Sequence, residues 1–226
     1  ECELASKGLQ HKESGQKVKA VLPVHVFGEL CDMEALMNLA DAYGLYVIED
    51  ATEALGSYYT QGKYMGRHAG TIGHLGVYSF NANKIITTGG GGMVVSQDQA
   101  LLDQLRYLSL TAKDDGLFFV HNQVGYNYRM LNLQAALGVS QLAELETFIE
   151  IKQSNWKRYE EQLHGIPGLT LMPFRKDRRS NHWFYSLYVE EELFGWTRDQ
   201  LMHQLLDRHI QCRPVWKLNH QQKPYA

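Results

Sequence analysis

The feature of this sequence that most constrains its fold is a strand, a helix and a second strand within about 30 residues. Residues 18–26 are almost continuously apolar and β-branched, which predicts a strand buried on both faces. Asp32 then precedes apolar residues at helical spacing, and Gly44 is placed to end that helix in a left-handed conformation. A second strand is predicted over residues 45–48. Units of this kind build parallel sheets, whose ligands gather at the carboxyl ends of the strands.

The alternation of strands and helices continues along the first part of the chain. Residues 76–80 and 93–95 are predicted as strands, and the four glycines at 89–92 as a tight hairpin where two backbones approach closely. No Gly-Lys-Ser/Thr follows these glycines, which excludes a nucleotide-binding P-loop. Ser96 and Gln99 predict a capping box at the start of the next helix.

The sequence pattern changes near residue 150. A helical pattern over residues 132–165 is longer than a typical globular helix, which predicts either two helices or one bridge between domains. Beyond it the sequence predicts a small β-β-α-β unit, with strands at 169–172, 183–189 and 210–214 and a helix that begins at Thr197 and Gln200. We therefore expect a large domain over residues 1–150, and a bridging helix with a small C-terminal domain over 151–226.

Composition and charge exclude several classes of protein. The chain of 226 residues has 22 Lys and Arg against 25 Asp and Glu, so its net charge of −3 supplies no basic field for nucleic acid. The basic run at 175–179 is predicted to be a solvated loop. No stretch approaches the roughly 18 apolar residues that a membrane span requires. Cys2, Cys31 and Cys212 lie far apart, as free thiols do in a reducing cytosol, which predicts a cytoplasmic location.

Three polar residues are candidates for chemistry at the ends of predicted strands. Asp50 follows the second strand, Ser79 lies in the next strand, and Lys84 comes shortly after it. Each has an ordinary alternative, because an acid can cap a helix and most lysines are solvated at the surface. Lys84, however, lies between aromatic residues and two isoleucines, so its amine is predicted to occupy a partly closed apolar site. An amine in such a site is suited to covalent chemistry with a carbonyl compound.

The histidines give no sign of a metal centre. Ten of them are scattered along the chain without the H-x-H or H-E-x-x-H spacing of metal ligands, and we predict no metal site. His25 and His121 remain open as ligands or as acid–base groups.

Several motifs, taken together and in order, resemble one family. They are PVHVFG at 23–28, IEDATEA at 48–54, SFNANK at 79–84, GYNYRM at 125–130 and LQAA at 133–136. The sequence from about residue 18 to 226 is similar to the DegT/DnrJ/EryC1/StrS family of pyridoxal-phosphate sugar aminotransferases. Residues 79–93 and 213–218 resemble its LegC-type branch. The resemblance implies an aspartate-aminotransferase-like α/β fold (PLP transferase fold type I), here a partial large domain with a mainly parallel sheet plus a small C-terminal α/β domain.

The resemblance also implies roles for single residues. Lys84 would hold pyridoxal phosphate covalently and, once displaced by the incoming amine, move a proton between two carbons. Asp50 would pair with the pyridine nitrogen, and Ser79 would donate its hydroxyl to the phosphate. Glu53 would face the phenolic side of the ring, where the family often has Gln. Asn127 would reach the phosphate of the neighbouring subunit's cofactor, which implies a homodimer with shared active sites.

The substrate implied by the resemblance is a nucleotide-linked 4-keto-6-deoxy sugar, converted to the 4-amino sugar with glutamate as amino donor. The pathway implied is surface polysaccharide or nonulosonic acid biosynthesis. Arg213, Trp216 and His220 are candidates for the sugar-nucleotide pocket. Core packing of Trp216 and a plain surface role for His220 are open alternatives.

One departure from the family pattern leaves alternatives. The family's N-terminal portion, with a Gly-Thr phosphate loop and an aromatic residue that stacks on the cofactor, has no counterpart in this sequence. The sequence is therefore expected to be part of a longer protein, or a truncated and non-catalytic member that exposes apolar edges and depends on a partner. A sugar dehydratase is a further alternative, but those enzymes replace the lysine with histidine, and Lys84 is present.

Overall fold

A computed structural model describes residues 2–5 and 8–225 of the chain. It divides into two compact units, one of Glu1–Gln153 with Phe174–Trp183 and the other of Ser154–Pro173 with Phe184–Ala226. The segment 174–183 thus returns to the first unit after the chain has entered the second. The predicted domain boundary at residue 150 stays a prediction, because compactness alone does not define a domain. Within the described residues, no helix is long and apolar enough to cross a membrane.

The first unit is built on a four-stranded mixed sheet. The unit as a whole contains the strands β1 Cys2–Ala5, β2 Gly8–His11, β3 Ala20–Val21, β4 Tyr46–Asp50, β5 Tyr58–Tyr59, β6 Leu75–Ser79, β7 Gly92–Val95 and, after the return, β9 Arg178–Arg179. The sheet has the order β3-β4-β6-β7. The first two pairings are parallel and the last is antiparallel. Strands β1 and β2 form a separate antiparallel pair, as do β5 and β9.

Among its described residues, the first unit contains three complete α-helices and the start of a fourth. They are α1 Met33–Tyr43, α2 Gln99–Ser109, α3 Asn132–Ala143 and the start of α4 Leu145–Leu163. The Asp32 side chain accepts the N–H of Ala35 and caps α1, and Gly44 ends it at φ 62°. Both predictions for this helix are confirmed. The long helical pattern is two helices, with the break at Glu144.

The second unit is smaller. Strands β8 Leu169–Leu171 and β10 Leu187–Val189 pair antiparallel, followed by α5 Glu191–Phe194 and α6 Arg198–Leu206. The predicted capping box is present, since the Thr197 hydroxyl accepts the N–H of Gln200 and the Gln200 side chain accepts the N–H of Thr197. The strand predicted at 210–214 is wrong, because these residues pair with no strand in the described part of the chain. Pro214 lacks the N–H that a central ladder position requires.

The first strand of the sheet differs from its prediction. Only Ala20–Val21 is a strand, and residues 22–26 alternate between exposed and buried side chains. Leu22 and Val24 are exposed, whereas Pro23 and His25 are buried. A continuous apolar run therefore did not mean burial on both faces, because one face of the sheet is open here.

Three other local predictions are corrected by the structure. Asp98, not Ser96, caps α2, because the Ser96 hydroxyl donates to the carbonyl of His74 just before β6 and accepts the N–H of Asp98. The glycine run is not a tight hairpin, since strands β6 and β7 are joined by the long loop 80–91. The basic run is a solvated loop only in part, because Arg175 and Lys176 are exposed, whereas Arg178 is buried, bonded to Asp177 and placed over the ring of Tyr59.

The core of the first unit lies between α1 and the strands. Its buried apolar side chains include Met33, Ala40, Val47, Ala51 and Tyr78. Strand β6 approaches the backbone at 69–73 so closely that a Cβ at Gly76 would overlap the carbonyl of Gly70. Only glycine fits at this position of the central strand.

We expect Gly76→Ala to destabilise the first unit by about 1–3 kcal/mol, because the added methyl group forces two backbones apart. The measurement is equilibrium unfolding in urea. Gly116→Ala is the matched control, since a Cβ there meets no atom within 4 Å. Equal stability of the two variants would contradict the close approach at Gly76.

Candidate active site

The candidate site lies at the carboxyl ends of two neighbouring parallel strands. Asp50 ends β4 and pairs in register with Val77 of β6, and Ser79 ends β6 two residues further on. The backbone of Asp50 is held by residues 23–25, since its N–H donates to the carbonyl of Pro23 and its carbonyl accepts the N–H of His25. Its side-chain Oδ1 accepts the N–H of Thr52 at 3.1 Å. The sheet thus fixes Asp50 at the edge where ligands gather in α/β proteins.

The loop 80–91 carries Lys84 back over this edge. The loop is anchored by the buried side chains of Phe80 and Ile86 and by the N–H of Thr88, which donates to the carbonyl of Phe80. The Lys84 side chain is only 13% exposed, and its Nζ lies 3.8 Å from Oε1 of Glu53. The amine predicted to sit in a partly closed site is therefore enclosed in the structure.

Glu53 is the acidic partner of that amine. Its side chain is 8% exposed, and its Oε2 accepts the N–H of Phe27 at 2.7 Å. Burial raises the pKa of Glu53, although the Phe27 N–H and the charge of Lys84 act in the opposite direction. The carboxylate is thus aimed at Lys84 by a backbone contact from a distant segment.

Two residues near the site were not identified from the sequence, and both come from the returning segment. The indole face of Trp183 lies against the Lys84 amine, with Nζ 4.3 Å from the ring centroid. The Asn181 side chain donates to the carbonyls of Glu53 and Leu55 at 2.8 and 2.9 Å. The hydrophobic periodicity predicts a strand at Trp183. The polar residues just before it were the only feature of the sequence that could have indicated a place near the site.

The close approach of Asn181 depends on a glycine. Gly28 has φ 87°, and a Cβ there would overlap Oδ1 of Asn181. The Ser57 hydroxyl donates to the Gly28 carbonyl at 2.7 Å and accepts the Asn181 N–H at 2.9 Å. Gly28 belongs to the motif at 23–28, so this part of the motif serves packing around the site.

Behind Asp50 lies a fully buried carboxylate, Glu49. It accepts the N–H groups of Gly70, Ile72 and Gly73 at 2.8, 2.7 and 2.5 Å. It also accepts from Nε2 of His25 at 2.9 Å. Burial alone would raise the pKa of Glu49, but the hydrogen bonds from His25, Gly73 and Gly70 outweigh it and hold the pKa below its usual range.

His25 is a structural residue of this network. Its Nδ1 accepts the N–H of Cys31 at 3.1 Å, so the ring proton lies on Nε2 and points at Glu49. His121 is exposed and contacts the carbonyl of Thr111 through Nδ1. In the part of the chain that the structure describes, no three His, Cys, Asp or Glu side chains are grouped as metal ligands.

The remaining predicted site residues are all exposed, one in the first unit and three in the second. Asn127 is exposed in an irregular segment that bridges to Leu110. Arg213, Trp216 and His220 belong to the second unit, where they are exposed. Their predicted roles at the substrate stay predictions.

Comparison with known proteins identifies the family. A profile described as the DegT/DnrJ/EryC1/StrS aminotransferase family matches residues 11–226. This chain belongs to that family. It is 37% identical to EpsN of Bacillus subtilis (strain 168) over 211 residues, which are 93% of this chain and 52% of that protein. It is 36% identical to the GDP-perosamine synthase of Vibrio cholerae, over 91% of this chain and 54% of that enzyme.

The structural comparison agrees with the family assignment. A crystal structure of DesI in the presence of its TDP-sugar product has a TM-score of 0.84 and 29% identity, and the match covers 95% of this chain and 53% of that one. The predicted fold class is thereby confirmed. The chain spans about half the length of the relatives it matches. Membership of the LegC-type branch stays a prediction.

The residues at the strand edge fit the chemistry of pyridoxal phosphate. Lys84 supplies an enclosed primary amine for an aldehyde, and Asp50 an anchored carboxylate for a pyridine nitrogen. The Ser79 oxygen accepts only the Asn81 N–H among the described residues, so its hydroxyl proton is available to a phosphate. Phosphate, ring and aldehyde would therefore each meet a suitable group of this chain.

We expect Glu49→Gln to cost about 3–5 kcal/mol of unfolding free energy, because the amide places N–H groups against buried N–H donors. The exposed Glu150→Gln is the matched control, and urea unfolding is the measurement. An effect no larger than that of the control would contradict the network.

The same network predicts an acid dependence. A carboxyl group with a lowered pKa contributes stability that is present above its usual value of 4.5 and is lost as the pH falls. The unfolding free energy of the wild type should therefore decrease below that pH. The decrease should be smaller in Glu49→Gln, and equal slopes in the two proteins would contradict the lowered pKa.

Proposed function

We propose that this chain carries the lysine-bearing part of a pyridoxal-phosphate-dependent sugar aminotransferase. The observation that carries the proposal is the enclosed amine of Lys84, 3.8 Å from Glu53 and beside the strand ends that hold Asp50 and Ser79. Membership of an aminotransferase family supports it. The activity, substrates and partners of the whole protein are part of this proposal.

When bound, pyridoxal phosphate supplies an electron-accepting ring that stabilises negative charge at the carbon losing a proton. Lys84 would hold the cofactor through Nζ and, once released, would move a proton from one carbon to another. Asp50 would keep the pyridine nitrogen protonated, and Ser79 would donate its hydroxyl to the phosphate. Glu53 holds the Lys84 amine and would face the phenolic side of the ring.

The substrate that we propose is a nucleotide-linked 4-keto-6-deoxy sugar, with glutamate as the amino donor. The names of two relatives support a nucleotide sugar, since one is a GDP-perosamine synthase and the other was crystallised with a TDP-sugar product. Arg213, Trp216 and His220 are proposed to line its pocket. Residues 79–93 and 213–218 are the basis for proposing the LegC-type branch and a role in surface polysaccharide or nonulosonic acid biosynthesis.

We also propose a cytoplasmic homodimer with shared active sites. Asn127 lies between Tyr126 and Tyr128, whose rings stack 4.9 Å apart and are exposed. Exposed aromatic side chains on both sides of a polar residue suit a surface covered by a second copy. Asn127 would then contact the phosphate held by its partner.

A second candidate function is a non-catalytic family member that associates with a partner. It predicts that no cofactor is held by Lys84. The dehydratase alternative is disfavoured by the lysine at position 84.

The test of the proposed function is the absorption spectrum of the chain with added pyridoxal phosphate. We expect a band at roughly 410–430 nm that borohydride reduction makes irreversible. Lys84→Ala should abolish the band, whereas Lys157→Ala at an exposed position should leave it unchanged. A normal band in Lys84→Ala would overturn the assignment of Lys84, and no band in any of these proteins would favour the non-catalytic alternative.

Shared active sites predict complementation between two defective subunits. A mixed dimer of Lys84→Ala and Asn127→Ala contains one intact site, so we expect it to retain about half of the cofactor held by the wild type. Each variant alone should retain much less. Differently tagged subunits are co-expressed, and cofactor content is measured after gel filtration. Failure of the mixed dimer to exceed both parents would contradict a site shared in this way.

A further inference from the structure

We propose that Trp183 is a positioning residue for the Lys84 amine, holding it against the indole face whenever it is not covalently engaged. This inference rests on the proposed function only for its consequence in catalysis. The contact itself is a property of the chain. Trp183 is 3% exposed, and Nζ of Lys84 lies 4.3 Å from its ring centroid.

Hydrogen bonds from the ring and the backbone of Trp183 fix its position. Its indole N–H donates to the carbonyl of Asn83, the residue just before Lys84, at 2.8 Å. Its backbone N–H donates to Oδ1 of Asn181 at 3.0 Å. The indole N–H of Trp183 therefore holds the backbone of the loop 80–91, and its ring face contacts the Lys84 amine.

Glu53 and Trp183 together define where the amine rests. The carboxylate lies 3.8 Å from Nζ, and the ring adds a cation–π contact in a site that is largely closed to water. Asn181 ties the two together, because it donates to the carbonyl of Glu53 and accepts the N–H of Trp183. An ammonium group held by a carboxylate and an aromatic face has one preferred position.

The consequence for the proposed reaction follows from geometry. A group that transfers protons must be within hydrogen-bond reach of the reacting atoms at the moment of transfer. A flexible lysine released from the cofactor has many rotamers, and a fixed resting place reduces them. Trp183 acts through Lys84 and is therefore a positioning residue.

The first test measures how fast an amine-acylating reagent labels Lys84 in the full chain without cofactor. Labelling is followed by peptide mass spectrometry, with the exposed Lys157 as internal reference. Trp183→Leu removes the ring, and we expect labelling of Lys84 to rise by a factor on the order of 2–30, the range that a desolvated cation–π contact represents. Trp183→Phe keeps an aromatic face and should restore labelling to within about twofold of the wild type.

The matched control is Trp196→Leu, which removes a half-exposed indole from the second unit and should leave Lys84 labelling unchanged. Equal labelling in the wild type and Trp183→Leu would overturn the proposal. So would equal increases in Trp183→Leu and Trp183→Phe, because the effect would then come from the lost N–H or from looser packing and not from the aromatic face.

A second measurement does not depend on whether Trp183→Leu folds. The lysines of the wild type are reductively methylated with ¹³C, and the Lys84 resonance is identified by its absence in Lys84→Arg. An amine above an indole face should give a resonance displaced upfield of those of exposed lysines. A Lys84 resonance among the others would overturn the contact.

These readouts separate the proposal from the proposed function. Labelling and methyl resonances report on the chain without cofactor, so they remain informative if no absorption band forms. If the band does form, Trp183→Leu should take up cofactor at least as readily as the wild type, because the contact that protects the Lys84 amine from the reagent also competes with its bond to the cofactor. If no protein shows the band but the labelling of Lys84 changes as expected, the proposed enzymatic function is refuted and the contact between Trp183 and Lys84 stands.

Discussion

The buried carboxylate of Glu49 is the interaction on which the site depends most. A charge removed from water is tolerated only when hydrogen bonds replace its hydration, and here three backbone N–H groups and His25 do so. These contacts join strand β4, the backbone at 69–73 and, through His25, the chain just before α1. Asp50 follows Glu49 directly in β4. The contacts that fix the buried carboxylate of Glu49 therefore also fix the position of Asp50 at the end of the strand.

A second constraint is the return of the segment 174–183 to the first unit. Strand β9 pairs with β5, and the Arg178 guanidinium donates to the carbonyls of Leu30 and Cys31. This anchoring places Asn181 beside Glu53, 128 positions away along the chain, and bonds Trp183 to Asn83, the neighbour of Lys84, 100 positions away. The loop 80–91, which carries Lys84, is thus held in place by the segment 174–183, whose own sequence shows no catalytic motif.

Much of the local structure was predictable from residues alone. Asp32, Gly44, Thr197 and Gln200 act through contacts only a few positions away, and their predicted caps are present. Predictions that depended on distant partners were less successful. The Ser96 hydroxyl donates to the carbonyl of His74, far away in the chain, and Asp98 caps the helix in its place. The basic residue Arg178 is buried by its partners from the rest of the unit. A charge pattern cannot show which side chains a distant segment will enclose.

The sequence by itself determined the alternation of strands and helices, the family motifs and the candidates Asp50, Ser79 and Lys84, because these depend on local periodicity and short spacing. Only the tertiary structure decided that Glu49 faces inward and that Trp183 and Asn181 join the site. It also decided that side chains alternate between exposed and buried positions over residues 22–26. The physical reason is that burial and pairing are set by which segments meet in space, and such contacts are formed by residues far apart in the chain.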